Sequence, residues 1–235
     1  MNPHGKVECV RENVIEFTEN FLESSQPLEV SNTVTLIMFT AIDLKGKKQC
    51  IYKEDKVDTK ILVKLIKLLD KEELNEHTRN DVMETLKIIA QENDGFLAIA
   101  DYMSRNSDIQ HIENIFGPRV IIPLAQLLPL VKEVAEPPTL PSNKITEYKA
   151  YAKTINHFME KEEAAVQIAL KECVDLATKL VMFMCYRGDK HLQDGVVLSL
   201  TKLAAAHHYA RDILQDFMHA HGSKEHKISK TSVAN

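Results

Sequence analysis

Ten histidines, four cysteines and several paired carboxylates are the side chains of this 235-residue sequence that could do chemistry, and their spacing decides what they are for. Cys9, Cys50, Cys173 and Cys185 contain no C-x-x-C pair and have no histidine at zinc-finger spacing. Free, mostly buried thiols are therefore expected, with Cys173 on an apolar helix face. His207 and His208 fall in a bend, while His219, His221 and His226 flank Gly222 in a polar stretch. A metal ion needs ligands fixed by a surrounding layer of hydrogen bonds, and such a stretch supplies none. Lys45-Gly46-Lys47-Lys48 has the look of a phosphate loop but carries one glycine. It reads as a solvated turn whose cations favour a helix C-terminus. Glu72-Glu73 and Glu162-Glu163 read as parts of charged helical surfaces. No G-x-S-x-G elbow, H-E-x-x-H, Walker-type loop or G-x-G-x-x-G is present. The expectation is a protein that is not an enzyme, with no catalytic residues, no cofactor and no metal.

The elements that must carry these residues announce themselves by repetition. Asn80 to Ile99 (NDVMETLKIIAQENDGFLAI), Asp194 to Ile213 (DGVVLSLTKLAAAHHYARDI) and, more faintly, Asn32 to Ile51 each give an apolar-periodic helix, a polar bend and a second short helix. Val34, Val82, Tyr148 and Val196 share one phase, followed by Met38, Leu86, Ala152 and Leu200, then Ala41, Ile89, Ile155 and Leu203, at offsets of 48, 66 and 48 residues. Two insertions account for the long middle interval: a polar bend at Ser104 to Ile109 and a Pro-rich link at 136–143. Without them the period approaches the roughly 40 to 47 residues of all-helical solenoids. A second series aligns Lys60 to Leu69 on Arg119 to Leu128, pairing Ile61 with Val120, Leu62 with Ile121, Leu65 with Leu124 and Leu68 with Leu127. A third copy runs through Cys173, Leu176 and Leu180. Pro123 is tolerated only in a first turn, which starts that helix near Ile122.

The run Asn114-Ile-Phe-Gly-Pro-Arg-Val-Ile-Ile-Pro-Leu-Ala-Gln-Leu-Leu128 resembles the link into the second helix of an armadillo repeat, and Val196 to Ala204 resembles its third helix. The resemblance spans about Ser31 to Met218 and implies an all-α fold, a right-handed superhelical solenoid of about four divergent armadillo-like repeats. The family's glycine between its first and second helices is mostly missing. The expected organisation is a disordered N-terminus at 1–8, one repeat domain over 9–221 and a disordered tail at 222–235.

Composition agrees with a packed helical domain: 44% hydrophobic and 27% charged residues, with only 7 Gly and 8 Pro. No apolar run reaches the roughly 20 residues of a membrane span, and the first residues lack the apolar stretch of a secretory signal, so cytoplasmic or nuclear residence is expected. A net charge of −5, 6% aromatic residues and no Trp argue against nucleic acid. Lys60, Lys64, Lys67 and Lys71 form a basic stripe over 60–71, which leaves docking on an anionic membrane as a weaker alternative to a solvated helix face.

In armadillo-like proteins the third helix of each unit lines a concave wall that holds extended peptides or partner helices. The resemblance places the wall's aromatic position on Leu36, Glu84, Ala150 and Leu198, and its asparagine position on Thr40, Ile88, Thr154 and Lys202. Neither the Trp nor the Asn of the nuclear-import receptors stands at these places, so recognition of nuclear-import signals in that manner is not expected. A mixed apolar and polar groove suits an amphipathic helix or extended segment of a protein partner. The reading is thus a non-enzymatic interaction scaffold. The alternative is a helical cofactor or co-chaperone subunit of a larger cytoskeletal or ciliary assembly, acting through its convex face or its ends.

Overall fold

The computed structural model describes residues 3–129, 142–161, 163–184, 190–216 and 218–219, and these form an all-α protein. They divide into two compact units, Met1–Gly117 and Pro118–Asn235, a division that the reading of one domain over 9–221 did not draw.

In the first unit, α1 (Pro3–Arg11), α2 (Val14–Thr18) and a 3-10 turn (Glu19–Glu23) precede α3 (Pro27–Ala41) and α4 (Leu44–Ile51). The stretch 1–8, read as a disordered terminus, thus lies mostly inside α1, which packs on α2 and α3 and whose Val10 carbonyl accepts from Gln49 Nε2 at 2.7 Å. Pro27 starts α3, where its missing N–H and fixed φ cost nothing. Asp43 starts α4 by accepting from the Lys45 amide at 2.8 Å. A hairpin of β1 (Tyr52–Lys53) and β2 (Lys56–Val57) follows, turned by Glu54 and Asp55 with φ of 52° and 59°, the left-handed pair that suits two-residue hairpins. Then come α5 (Lys60–Leu69), α6 (Glu76–Ile89), α7 (Asn93–Arg105) and α8 (Ile109–Ile115).

A 3-10 turn (Gly117–Val120) leads into α9 (Ile121–Leu127) of the second unit, so Pro123 sits in a first turn one residue from the expected start. A 3-10 turn at Ser142–Lys144 opens α10 (Ile145–Lys161), followed by α11 (Glu163–Glu172), α12 (Leu176–Met184) and α13 (Lys190–Ala206); residues 208–216 are again helical. Most of the Pro-rich link, through Pro141, and the tail at 222–235 lie outside the described residues.

Both sequence series are core apart from Met38 and Leu127, which are half-buried. Val34, Val82, Leu86, Ile89, Ala152, Ile155 and Val196 are fully buried, as are Leu62, Leu65, Ile121 and Leu124. The second series packs on the first: α5 on α6, α9 on α10 and α12 on α13. Cations plug helix ends, where the last carbonyls have no partner within the helix. Arg79 donates to the carbonyls of Leu69 and Lys71 at the end of α5. Lys179, itself buried, donates to Ala125 on α9 and pairs with Asp175 at 2.9 Å. Lys202 donates to the carbonyls of Met159 (3.0 Å) and Glu160 (2.6 Å) at the end of α10.

Lateral contacts keep a nearly constant step along the chain. In the first unit Thr35 donates to Asp81 (46 residues on), Lys47 to Gln91 (44 on) and Tyr52 to Asp94 (42 on), so 35–52 lies alongside 81–94 in parallel. In the second, Ser199 bonds Asn156 (43 apart) and Lys202 bonds Met159 (43 apart), so α10 and α13 also run parallel. Gly46 and Gly95 sit in the first turns of α4 and α7, each against the carbonyl six residues earlier, Thr40 O and Ile89 O. Gly46 is therefore buried helix, where a solvated turn was expected.

Candidate protein-binding surface

The eight groove positions divide four and four between the units. On α3, Leu36 is half-buried, whereas Thr40 is fully buried and donates its hydroxyl to Leu36 O at 2.8 Å. On α6, Glu84 is exposed beside Lys87, with 4.0 Å between the charged groups, and Ile88 is half-buried. On α10, Ala150 is half-buried and Thr154 is buried, donating to Ala150 O at 3.0 Å. On α13, Leu198 is 46% exposed beside Val197 at 44%.

Two residues must therefore be removed from the expected wall. At Thr40 and Thr154 the hydroxyl turns back onto the carbonyl four residues earlier, as a buried threonine in a helix must when no other acceptor is near. Neither offers a group to a ligand. Lys202 is committed as well, because its ammonium caps α10. It borders a hollow of about 410 Å³ with Met159, Glu160, Val166, Ala205 and Ala206. What remains accessible is Leu36, Glu84 and Ile88 in one unit, and Ala150 with Leu198 in the other.

The basic stripe is partly spoken for. Lys64 is 17% exposed and lies between Glu19 (3.0 Å) and Glu23 (3.3 Å), while Lys60 faces Asp58 at 3.7 Å. Burial pulls the Lys64 ammonium down, but its hydrogen bonds to the two carboxylates more than offset this and hold its pKa above the ordinary lysine value. Carboxylates on the preceding turn answer Lys64, while Lys67 and Lys71 are exposed. No described helix is long and apolar enough to cross a membrane.

Chemistry elsewhere is muted. A hollow of about 420 Å³ in the first unit is lined by Glu16, Glu19, Lys53, Asp58 and Lys60. Three of its carboxylates face a lysine: Glu16 meets Lys53 at 2.8 Å, Asp58 meets Lys60 and Glu19 meets Lys64, while Glu54 also lines it. Burial pushes the Cys50 thiol up to about 12. The Cys173 thiol rises to about 11 through burial and then the nearby Asp175 and Glu172. Both are poor nucleophiles, since the thiolate is the reactive form. Cys185, Glu162, His221 and His226 lie outside the described residues. The His207 and His208 rings stack with centroids 4.7 Å apart, and His207 Nδ1 accepts from the Tyr209 amide. Sequence reasoning named no metal ligand, yet Asp70, Asp108 and His111 come together in the first unit. Asp70 and Asp108 stand 38 residues apart in sequence, so spacing gave no signal for this meeting.

No protein-family model, curated protein or solved structure matches the chain.

Proposed function

We propose that the protein is a non-enzymatic interaction scaffold built from armadillo-like helical layers, and that it holds a helical or extended segment of a partner protein. The carrying observation is the near-constant lateral step. Contacts at 46, 44 and 42 residues in one unit and 43 in the other mean that equivalent segments lie side by side in parallel, the relation expected between successive turns of a solenoid. The repeated helix pairs, α5 with α6, α9 with α10 and α12 with α13, support the same reading. On this view the binding faces are those of α3 with α6 and of α10 with α13. Leu36, Ile88 and Leu198 supply apolar anchors and Glu84 a charge that sets orientation.

Affinity purification with mass spectrometry, comparing wild type with Glu84→Arg and Leu198→Glu, tests this. Both positions are exposed, so the variants should melt like wild type. Partners lost from these variants support the faces named; partners retained in full by both count against them.

A second reading, a subunit that works through its ends inside a larger assembly, draws on one observation. Phe17 (75% exposed), Phe21 (49%) and Leu28 (72%) leave apolar side-chain area uncovered in the first helices. Areas of this kind mark association surfaces. Retention of partners by the two face variants, with loss on Phe17→Ser and Phe21→Ser, would favour it.

A further inference from the structure

We propose that Asp70, Asp108 and His111 form a site for one divalent transition-metal ion of the zinc class, which clasps the end of α5 to the start of α8. Asp70 is the residue that closes α5, Asp108 caps the start of α8, and His111 follows in its first turn. One ligand atom from each of the three lies within 4.8 Å of the others. A tetrahedral centre with bonds of about 2.0–2.1 Å sets its ligand atoms about 3.3 Å apart, so modest side-chain rotation closes the set.

His111 and Asp70 form an ion pair when the imidazole is protonated, but no hydrogen bond joins them. His111 Nε2 stands 3.7 Å from Asp70 Oδ1, beyond hydrogen-bond reach. The imidazole is only 16% exposed, and its Nδ1 is buried with no hydrogen-bond partner. A buried ring nitrogen normally has a partner, so this one is left unsatisfied by the protein alone. Asp108 keeps Oδ1 on the His111 amide at 3.4 Å, and a carboxylate carries a second oxygen for an ion. Two carboxylates and one imidazole bring a charge of about −2 that a divalent cation neutralises.

Donor chemistry selects the ion. Magnesium and calcium take all-oxygen sets, whereas an imidazole nitrogen with carboxylates suits zinc, cobalt and their neighbours. Asp70 is 70% exposed at its side chain, which gives the ion a path in and leaves the remaining position to water. An ion held there bridges two helices whose ligands are 38 residues apart, and it favours the folded state because the unfolded chain does not assemble the set.

The test uses the full chain, stripped with a chelator and titrated with zinc by calorimetry, and with cobalt by visible absorption. One equivalent should bind, raise the melting temperature and give a cobalt spectrum free of thiolate charge transfer. Asp70→Asn and His111→Ala should each weaken binding about tenfold or more, while His208→Ala and Cys173→Ala change nothing. A thousandfold excess of magnesium should not displace the ion. The proposal is overturned if wild type takes up no zinc at millimolar concentration, if thiolate bands show that cysteines hold the metal, or if Asp70→Asn binds as wild type does. Should His111→Ala fail to fold, Asp70→Asn at its exposed position decides.

Discussion

Ser199 on α13 donates its hydroxyl to Asn156 Oδ1 on α10 at 2.7 Å, joining two buried side chains 43 residues apart. Gly195, one turn earlier on α13, lets them meet: a Cβ there would stand 2.9 Å from Asn156 Nδ2. Ser199→Ala strands the Asn156 carbonyl in the interior and should cost about 1–3 kcal/mol in urea denaturation. Combining it with Asn156→Leu leaves no unpaired polar atom, and the pair should lose less than the single serine change.

Gly46→Ala and Gly95→Ala should both destabilise, although alanine is the better helix former. The new methyl would lie 2.0 Å from Thr40 O at the first position and 2.6 Å from Ile89 O at the second. A backbone carbonyl in a packed helix cannot swing aside, so the helices must part. The cost should reach at least about 2 kcal/mol, roughly 4–8 °C in melting temperature. Gly46→Ala, with the closer contact, should be the worse of the two.

Thiol reactivity should rank Cys9 above Cys50 and Cys173. Cys9 is partly exposed, whereas the other two are buried and titrate at about 12 and about 11 against an ordinary 9.0. Labelling with an alkylating reagent at neutral pH should modify Cys9 before Cys173, and Cys50 only on unfolding. The sign of the pH effect follows. A folded-state pKa above the unfolded one means that the thiol's contribution is complete below pH 9 and is lost as pH climbs toward the folded value. For Cys50 the slope is at most about 1.4 kcal/mol per pH unit.

Lys202→Met should cost about 1 kcal/mol, because the Met159 and Glu160 carbonyls lose a cationic donor but can turn to water at the edge of the helix. Lys202→Glu should cost more, since it sets a carboxylate at the negative end of α10. Thermal melts of the two variants check the order. A loss of partner binding in Lys202→Glu therefore needs a matching melt before it says anything about a surface.

The sequence made the buried faces legible because burial obeys helical phase: Val34, Val82, Leu86 and Leu65 lie where their spacing placed them. Which side chains stay free on the opposite faces was not legible, because that depends on partners distant in sequence. Lys64 reads as one member of a basic stripe until Glu19 and Glu23 close over it. Thr40 and Thr154 stand at the right phase for a groove, yet their hydroxyls answer to their own helices. Gly46 looked like turn vocabulary because glycine serves both turns and close helix approach, and only the position of Thr40 O separates the two uses. The hairpin at Tyr52–Val57 also escaped notice, being two strands of two residues turned by left-handed Glu54 and Asp55 with no glycine as a cue.

The parallel step between 35–52 and 81–94 also fixes where the chain can change in length. One residue added inside α6 would rotate everything after it by about 100°, swinging Leu86 and Ile89 out toward water and unseating the partners of α3. The same residue added between helices, as at Lys71–Leu74, only enlarges a loop. Evolutionary or engineered insertions should therefore survive at the corners of this fold and nowhere along its rods.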